Sequence, residues 1–431
     1  MAGRSLYILV AVLGIALAGT WGYVFYIRTT APETAPSLPA VTPGEIDPAV
    51  WGQRYPAQFE SFRRTAEESA GPSVYGGSVP FSQLDRYPFL RTLWEGYPYS
   101  EEYSEDRGHA YALTDVTTTG RHPTKAACLT CKSANTPAAL REFGEGFYGM
   151  PFAAMAGEFG QTISCSDCHD PATMSLRVTR PALAQALAAR DEDIADATHN
   201  QMRTYICAQC HVEYYLTKEG SVVTFPWTKG FEPEDEYAYY RDIGFSDWTQ
   251  PGTGAPMVKA QHPDFEMYEG GVHQANDVAC ADCHMPFMRI GNTKVTSHWI
   301  TSPLKTLEHS CGPCHGPHTG GLRERVLYTQ DRVEELVRRA GAELVATTEA
   351  LIRASASPLP NAPLDNARRL YREAEWYLDW VLSANSHGFH NPQKALFTLG
   401  KAIDLAAEAR EQAQRATTRN GAGPDGNPGQ P

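Results

Sequence analysis

The chain has 431 residues, 42% of them apolar, and a formal charge of −13 from 50 acidic against 37 basic side chains. That balance argues against a nucleic-acid partner, because phosphate binding needs a basic face; a small anionic substrate requires a locally basic pocket. The apolar fraction is modest for a chain of two or three ordinary domains and long buried-strand runs are hard to find, so something other than side chains fills the core.

In chain order, Leu6 to Ile27 is an uncharged stretch of 22 residues between Arg4 and Arg28, long enough to reach across a bilayer's hydrocarbon core. Residues 1–28 read as an uncleaved membrane anchor. A cleaved signal peptide has a shorter apolar region, and Ala16-Leu17-Ala18 is a weak cleavage site with apolar residues continuing past it. Either way the rest of the chain is exported. Residues 29–47, rich in Pro, Thr and Ala, read as an extended tether, and the folded body starts near Trp51. Residues 48–325 are punctuated by Gly, Pro and aromatic side chains and contain every cysteine. Residues 326–415 change character. Val333, Leu336, Val337, Ala340, Leu344, Val345, Thr348, Leu351 and Ile352 recur at helical spacing, and Ser357-Pro358-Leu359-Pro360 ends that helix. Leu370, Ala374, Tyr377, Leu378, Val381 and Leu382 mark a second helix, and Ala395, Leu396, Leu399, Ala402, Ile403 and Ala406 a third. Residues 416–431 lack apolar periodicity and read as a disordered tail. Strand signals are sparse, so the class is mainly α.

All ten cysteines fall into five Cys-x-x-Cys pairs: Cys128/Cys131, Cys165/Cys168, Cys207/Cys210, Cys280/Cys283 and Cys311/Cys314. Four are followed directly by histidine, namely His169, His211, His284 and His315. Cys-x-x-Cys-His attaches a c-type haem: two thiols bond the macrocycle and the next imidazole meets the iron. With 14 His among 431 residues, four such coincidences by chance are negligible. Zinc ribbons and disulfides share the Cys spacing but need no histidine there, and zinc would combine pairs two by two, leaving a fifth unmatched. Five covalent haems would supply the missing core. Their attachment takes place outside the cytoplasmic membrane, in keeping with the N-terminus and a periplasmic location.

The first pair reads Cys128-Leu129-Thr130-Cys131-Lys132, with lysine in the histidine position. An amine binds iron only when neutral, so its free pKa of about 10.4 must be overridden by the metal charge and low-dielectric surroundings. Four bis-histidine haems demand four further histidines, and ten lie outside the motifs: His109, His122, His199, His262, His273, His298, His309, His318, His387 and His390. The lysine haem then keeps an open position for substrate, while six-coordinate haems carry electrons.

One Lys-type motif followed by four His-type motifs resembles the pentahaem ammonia-forming cytochrome c nitrite reductases. The likeness runs from Trp51 to His390 and includes Trp51-Gly52-Gln53-Arg54-Tyr55-Pro56, Arg107-Gly108-His109, Asp115-Val116, His211-Val212-Glu213-Tyr214-Tyr215, Lys259-Ala260-Gln261-His262-Pro263 and Gly388-Phe389-His390-Asn391-Pro392, in the family's order. It implies a multihaem cytochrome c with a haem-filled core and long C-terminal helices. It makes His298 the distal ligand of the second haem, His109 of the third, His390 of the fourth and His273 of the fifth. His387 competes with His390, and His309 with His298. Above the open iron it places Arg121, Tyr214 and His262, with Arg107 as the alternative arginine. Arg121 would neutralise nitrite's oxygens while Tyr214 and His262 donate hydrogen bonds and protons. A calcium ion would sit beside the lysine haem on the Glu213 carboxylate, the Tyr214 and Lys259 carbonyls and the Gln261 side chain, all hard oxygen donors.

The resulting expectation is six-electron, eight-proton reduction of nitrite to ammonium. Electrons would come from a membrane-bound multihaem quinol dehydrogenase, and the C-terminal helices would form a homodimer. A non-enzymatic electron-transfer cytochrome and a reductase of hydroxylamine or sulfite are the alternatives.

Overall fold

A computed structural model describes residues 2–30, 40–104, 107–316, 319–356 and 362–418. Most of the expected tether, the Ser357-Pro358-Leu359-Pro360 stop, His318 and nearly all of the expected tail lie outside them. The chain divides into two units, Met1–Ala40 and Val41–Pro431.

The first unit is helix α1 (Ala2–Thr30). Its described side chains, Tyr7 and residues 10–25, are all exposed. Among the described residues no helix is long and apolar enough to cross a membrane.

The second unit begins earlier than the expected start near Trp51. Val41 is buried, Trp51 Nε1 donates to the Glu45 carbonyl at 3.1 Å, and Ser164 Oγ donates to the Ile46 carbonyl at 2.6 Å. Helix α2 (Pro48–Arg54) follows, capped by the Asp47 carboxylate, with proline in its first turn. Up to residue 316 the frequent Gly and Pro keep helices short. Those that matter here are α3 (Phe89–Leu93), α4 (His199–Ala208), whose Thr198 and Gln201 form a capping box, and, after the hairpin β1 (Tyr215–Leu216) and β2 (Val223–Thr224), α5 (Pro233–Asp242). Two further antiparallel hairpins are β3 (Trp248–Thr249) with β4 (Pro256–Met257), and β5 (Phe287–Ile290) with β6 (Thr293–Thr296).

Three long helices complete the unit: α6 (Gly320–Ser355), α7 (Ala362–Ser383) and α8 (Pro392–Thr418). The mainly α class expected from the sequence is observed. Val333, Val337, Ala340, Leu344 and Leu351 are fully buried, as their spacing requires. Helix α6 starts well before the periodic stretch because half-buried Leu322 and buried Val326 extend its inward face, and α8 runs into the first residues of the expected tail.

The long helices form one apolar core with α3, α5 and the β3–β4 hairpin. Trp376 and Trp380 of α7 anchor it, their ring N–H groups donating to the Pro233 carbonyl at 2.8 Å and Glu236 Oε2 at 2.6 Å. A second core surrounds the first cysteine pair and includes Leu129, Phe147, Tyr148, Leu183, Val212 and Trp227. Helix α6 approaches α3 at Gly341, where a Cβ would lie 2.6 Å from Phe89 Cε1. Gly341→Ala is therefore expected to lower stability by about 1–3 kcal/mol through overpacking. Chemical unfolding should show a reduced midpoint with unchanged denaturant dependence; an unshifted midpoint would contradict this close approach.

Candidate metal centres and substrate pocket

Each cysteine pair sits on a single helical turn, which brings side chains three apart to one face. His169, His211 and His315 donate their backbone N–H groups to the carbonyls of Cys165, Cys207 and Cys311 at 2.9, 2.9 and 3.0 Å, and Cys280–His284 is itself one helical turn. The lysine motif is wound more tightly, Lys132 N–H bonding the Leu129 carbonyl three residues back at 3.1 Å. None of the ten cysteines is paired in a disulfide. Among the described residues no three His, Cys, Asp or Glu side chains converge as a metal-binding cluster.

Nine of the cysteines are half-buried, whereas Cys314 is exposed, and so is His315 beside it. Beside this turn lies a small apolar cluster whose buried members are Leu304, Leu307 and Val326, with Cys311 packed on it from the partly buried fringe.

Every motif histidine nevertheless faces one histidine from elsewhere in the chain. Ring centroids are 6.1 Å apart for His169 and His298, 6.2 Å for His109 and His211, 6.2 Å for His284 and His390, and 6.4 Å for His273 and His315. A metal between two imidazoles separates their centroids by roughly 6 Å, since each metal–nitrogen bond is about 2 Å long. The residues present therefore fit irons held between them. The partners are those the family resemblance implies. His387 takes no such place: it stacks on Tyr75 at 4.3 Å and 7°, with Nε2 3.2 Å from Glu334. His309 is exposed.

Outward nitrogens fix the ring orientations, as metal-binding imidazoles require. His169 Nδ1 lies 3.0 Å from the Met174 carbonyl, His284 Nδ1 3.0 Å from that of Thr301, and His298 Nδ1 3.0 Å from that of Thr296. Burial lowers the pKa of His284 and of His298 to about 4, and also lowers those of His169, His273 and His390, so these rings stay neutral and able to bind metal. His211 differs. Burial works to lower its pKa, but Asp264, 3.2 Å from Nδ1, carries it above the usual value.

At the lysine motif, burial raises the Cys128 thiol's pKa while Arg121 and Lys132 pull it down. Arg121 Nε donates to Thr119 Oγ1 at 3.2 Å and its guanidinium lies 4.0 Å from the Tyr99 ring centroid. Thr119 is held in turn by Glu102. The Tyr214 hydroxyl is pushed well above its ordinary pKa by burial first, then by Tyr99, Cys131, Cys128 and Tyr97. It stays protonated as a donor. Arg107 is occupied elsewhere, paired with Asp115 at 2.6 Å and Glu68 at 2.8 Å.

His262 precedes Asp264, a residue that sequence reasoning missed although an acid two positions after a candidate site histidine was its signal. Burial works to raise the Asp264 carboxyl's pKa, and His211, His390 and His262 together hold it below the usual range. One carboxylate thus serves three of the histidines singled out from the sequence.

Glu213 is fully buried. Its Oε2 accepts the Gln261 backbone N–H at 2.6 Å, its Oε1 accepts the Tyr240 hydroxyl at 2.8 Å, and the Gln261 side-chain amide donates to the Lys259 carbonyl at 3.0 Å. Burial raises the Glu213 carboxyl's pKa well above the usual range. Glu266, whose Oε1 accepts the Glu213 N–H at 2.9 Å, has an Oε2 that is buried without a hydrogen-bond partner among the described residues. Buried carboxylates and carbonyls that lack compensating charge fit a hard cation.

A family model described as cytochrome c552 matches residues 47–429. Cytochrome c-552 of Bacteroides fragilis is 36% identical over 86% of this chain and 77% of its own length. The cytochrome c nitrite reductase subunit NrfA of Nitratidesulfovibrio vulgaris is 37% identical over 86% of this chain and 80% of its own. The solved NrfA catalytic subunit of Desulfovibrio desulfuricans cytochrome c nitrite reductase, described with two calcium sites, superposes with a TM-score of 0.83 at 34% identity over 88% of both chains.

A haem iron held between His169 and His298 would lose one of its two imidazoles in His298→Ala. Intact mass is expected to show an unchanged haem count, while electron paramagnetic resonance shows one new high-spin iron. A spectrum identical to the parent's would remove His298 from this pairing.

Proposed function

The chain belongs to the cytochrome c552 family, the pentahaem ammonia-forming cytochrome c nitrite reductases, and from that premise we propose that it reduces nitrite to ammonium at a haem whose iron is bound by Lys132. The observation that carries this reading is an asymmetry. Four motif histidines each face a second histidine across about 6 Å, whereas the first motif carries an amine and is surrounded by Arg121, Tyr214 and Tyr99.

Five haems would be held by Cys128/Cys131, Cys165/Cys168, Cys207/Cys210, Cys280/Cys283 and Cys311/Cys314, and when bound they supply the electron transfer and the open iron position that nitrite needs. The polypeptide does the rest. Lys132 would offer its amine to that iron from a half-buried turn. Arg121 supplies the positive charge that draws a nitrogen oxyanion into an acidic protein. Tyr214, kept protonated by burial, and His262 donate hydrogen bonds and protons as N–O bonds break. A calcium ion on Glu213, the Tyr214 and Lys259 carbonyls and Gln261 would compensate the buried Glu213 charge and stiffen the backbone on both sides of the pocket.

Location and partners follow the same reading. The uncharged stretch Leu6–Ile27 matches a bilayer in length and holds the enzyme on the periplasmic side of the cytoplasmic membrane, within reach of a quinol-oxidising multihaem donor. Exposed Tyr328 of α6 and Phe397 of α8 support pairing of two copies through the long helices.

Lys132→His is expected to leave five haems attached, to change the spin state of one iron, and to cut nitrite turnover by about tenfold or more. Intact mass, a visible spectrum and a reduced-dye assay read all three, and unchanged turnover would deny Lys132 its role. Arg121→Gln should lower kcat/KM for nitrite by about 10–100-fold, the worth of a charge-assisted contact to the anion. In the same assay nitrite is expected to outcompete sulfite as substrate; a clear preference for sulfite would overturn the proposed substrate.

A further inference from the structure

The segment Lys259-Ala260-Gln261-His262 carries two of the proposed calcium donors and the proposed proton donor, so its path decides where all three point. It runs through the interior: Lys259 and Ala260 are buried, Gln261 and His262 half-buried. A buried segment outside regular structure must still place each backbone N–H. Here three successive N–H groups go to carboxylates from three distant parts of the chain. That of Lys259 is accepted by Asp247 Oδ2 at 2.9 Å, that of Ala260 by Asp379 Oδ2 at 2.8 Å, and that of Gln261 by Glu213 Oε2 at 2.6 Å. The Lys259 side chain adds a second hold. Its Nζ donates to Asp379 Oδ1 at 3.0 Å, Ser383 Oγ at 3.0 Å and the Ala260 carbonyl, and it lies 4.6 Å from the Trp94 ring centroid. Asp379 therefore grips the segment with both oxygens, one on side chain and one on main chain, and Ser383 stands one turn further along α7.

Neutral carbonyls satisfy most buried N–H groups at far less cost than carboxylates, whose desolvation penalty is several kcal/mol each. Bonds to carboxylates are shorter and stronger, and they restrict the backbone more tightly. We propose that Asp379 and Asp247 are positioning residues for the reaction, fixing the 259–262 backbone so that the Lys259 carbonyl, the Gln261 side chain and the His262 ring are held in one arrangement. This rests on the roles given above to those three groups. It also gives the C-terminal helices, which hold no cysteine, a part in the chemistry: α7 reaches into the pocket's wall through Asp379.

Two full-length, haem-loaded variants test it. Lys259→Met with Asp379→Leu removes the buried pair as a unit, leaving no stranded charge, while depriving the Ala260 N–H of its acceptor. Asp247→Ala does the same for the Lys259 N–H and decides the matter if the double variant does not take up its haems. Calcium affinity is read by chelator titration and nitrite kcat/KM by reduced-dye assay. Both are expected to fall by about 10–100-fold, as for residues that orient metal donors, with the haem count and the low-spin signals of the four His-paired irons unchanged. Folded variants with the parent's calcium affinity and kcat/KM would overturn the clamp. Parent activity separates the two readings: a parent that reduces no nitrite overturns the proposed function, whereas an active parent with unaffected variants overturns the clamp alone.

Discussion

Four facing imidazole pairs run through the cysteine-bearing region, spaced as irons between them would require. His109 meets His211, His169 meets His298, His273 meets His315 and His284 meets His390, each across about 6 Å. All four pairs join segments far apart in sequence, and closing such loops costs conformational entropy that side-chain burial alone must otherwise offset. The region between residues 48 and 316 builds one apolar core around the first cysteine pair and shares the other with the long C-terminal helices. With c-type haems between the rings, each pair becomes a cross-link and a hydrophobic filler at once. The arrangement of the cysteine turns depends on this substitution of cofactor for core.

Buried charge is the second organising feature, and it concentrates where the backbone has to be held still. Arg180, almost wholly buried, donates to the Thr130 and Ser133 carbonyls at 2.9 and 2.8 Å and pairs with Asp167, so a single guanidinium ties the lysine motif to the turn that carries Cys165 and Cys168. Lys259 with Asp379 does the same for the far wall of the pocket. Pairs of this kind contribute little net stability, yet losing one partner costs about 3–5 kcal/mol. Their value is therefore geometric: each makes one backbone path much better than its neighbours. A reaction that moves several protons and electrons at one small anion needs that kind of preorganisation more than it needs additional stability.

Much of this was legible in the residues because haem attachment is a local chemical pattern. Five Cys-x-x-Cys turns and the residue after each can be read without any knowledge of the fold, and α6 to α8 announce themselves through helical periodicity. The distal histidines were legible only through family likeness, since a lone histidine looks the same whether it meets a metal or, like His387, a tyrosine and a glutamate. Asp379 and Asp247 carried no local signature, and Asp264 only its place two residues after His262. Each is an ordinary acid in sequence, and its importance arises from burial beside groups brought in from elsewhere, which only the folded chain reveals. The start of the second unit was missed for a related reason: a Pro- and Thr-rich stretch reads as linker, although Val41, Glu45 and Ile46 pack and bond against the body.

Asp264 shows how the electron-carrying and proton-carrying parts of such a molecule can be joined. Its Oδ2 lies 3.2 Å from His211 Nδ1, its Oδ1 accepts the Asn385 N–H at 2.8 Å, and its backbone N–H bonds the His262 carbonyl at 2.6 Å. A carboxylate on the outer nitrogen of a metal-bound imidazole raises its basicity and so tunes the metal. Here the same residue sits two positions from the proposed proton donor and, through Asn385, on the turn leading to His390. A shift of this loop therefore alters the surroundings of His211 and the direction of His262 together. The fold leaves little freedom to adjust one without the other, so the histidine spacing around residues 262–264 is set by chemistry at two places rather than one.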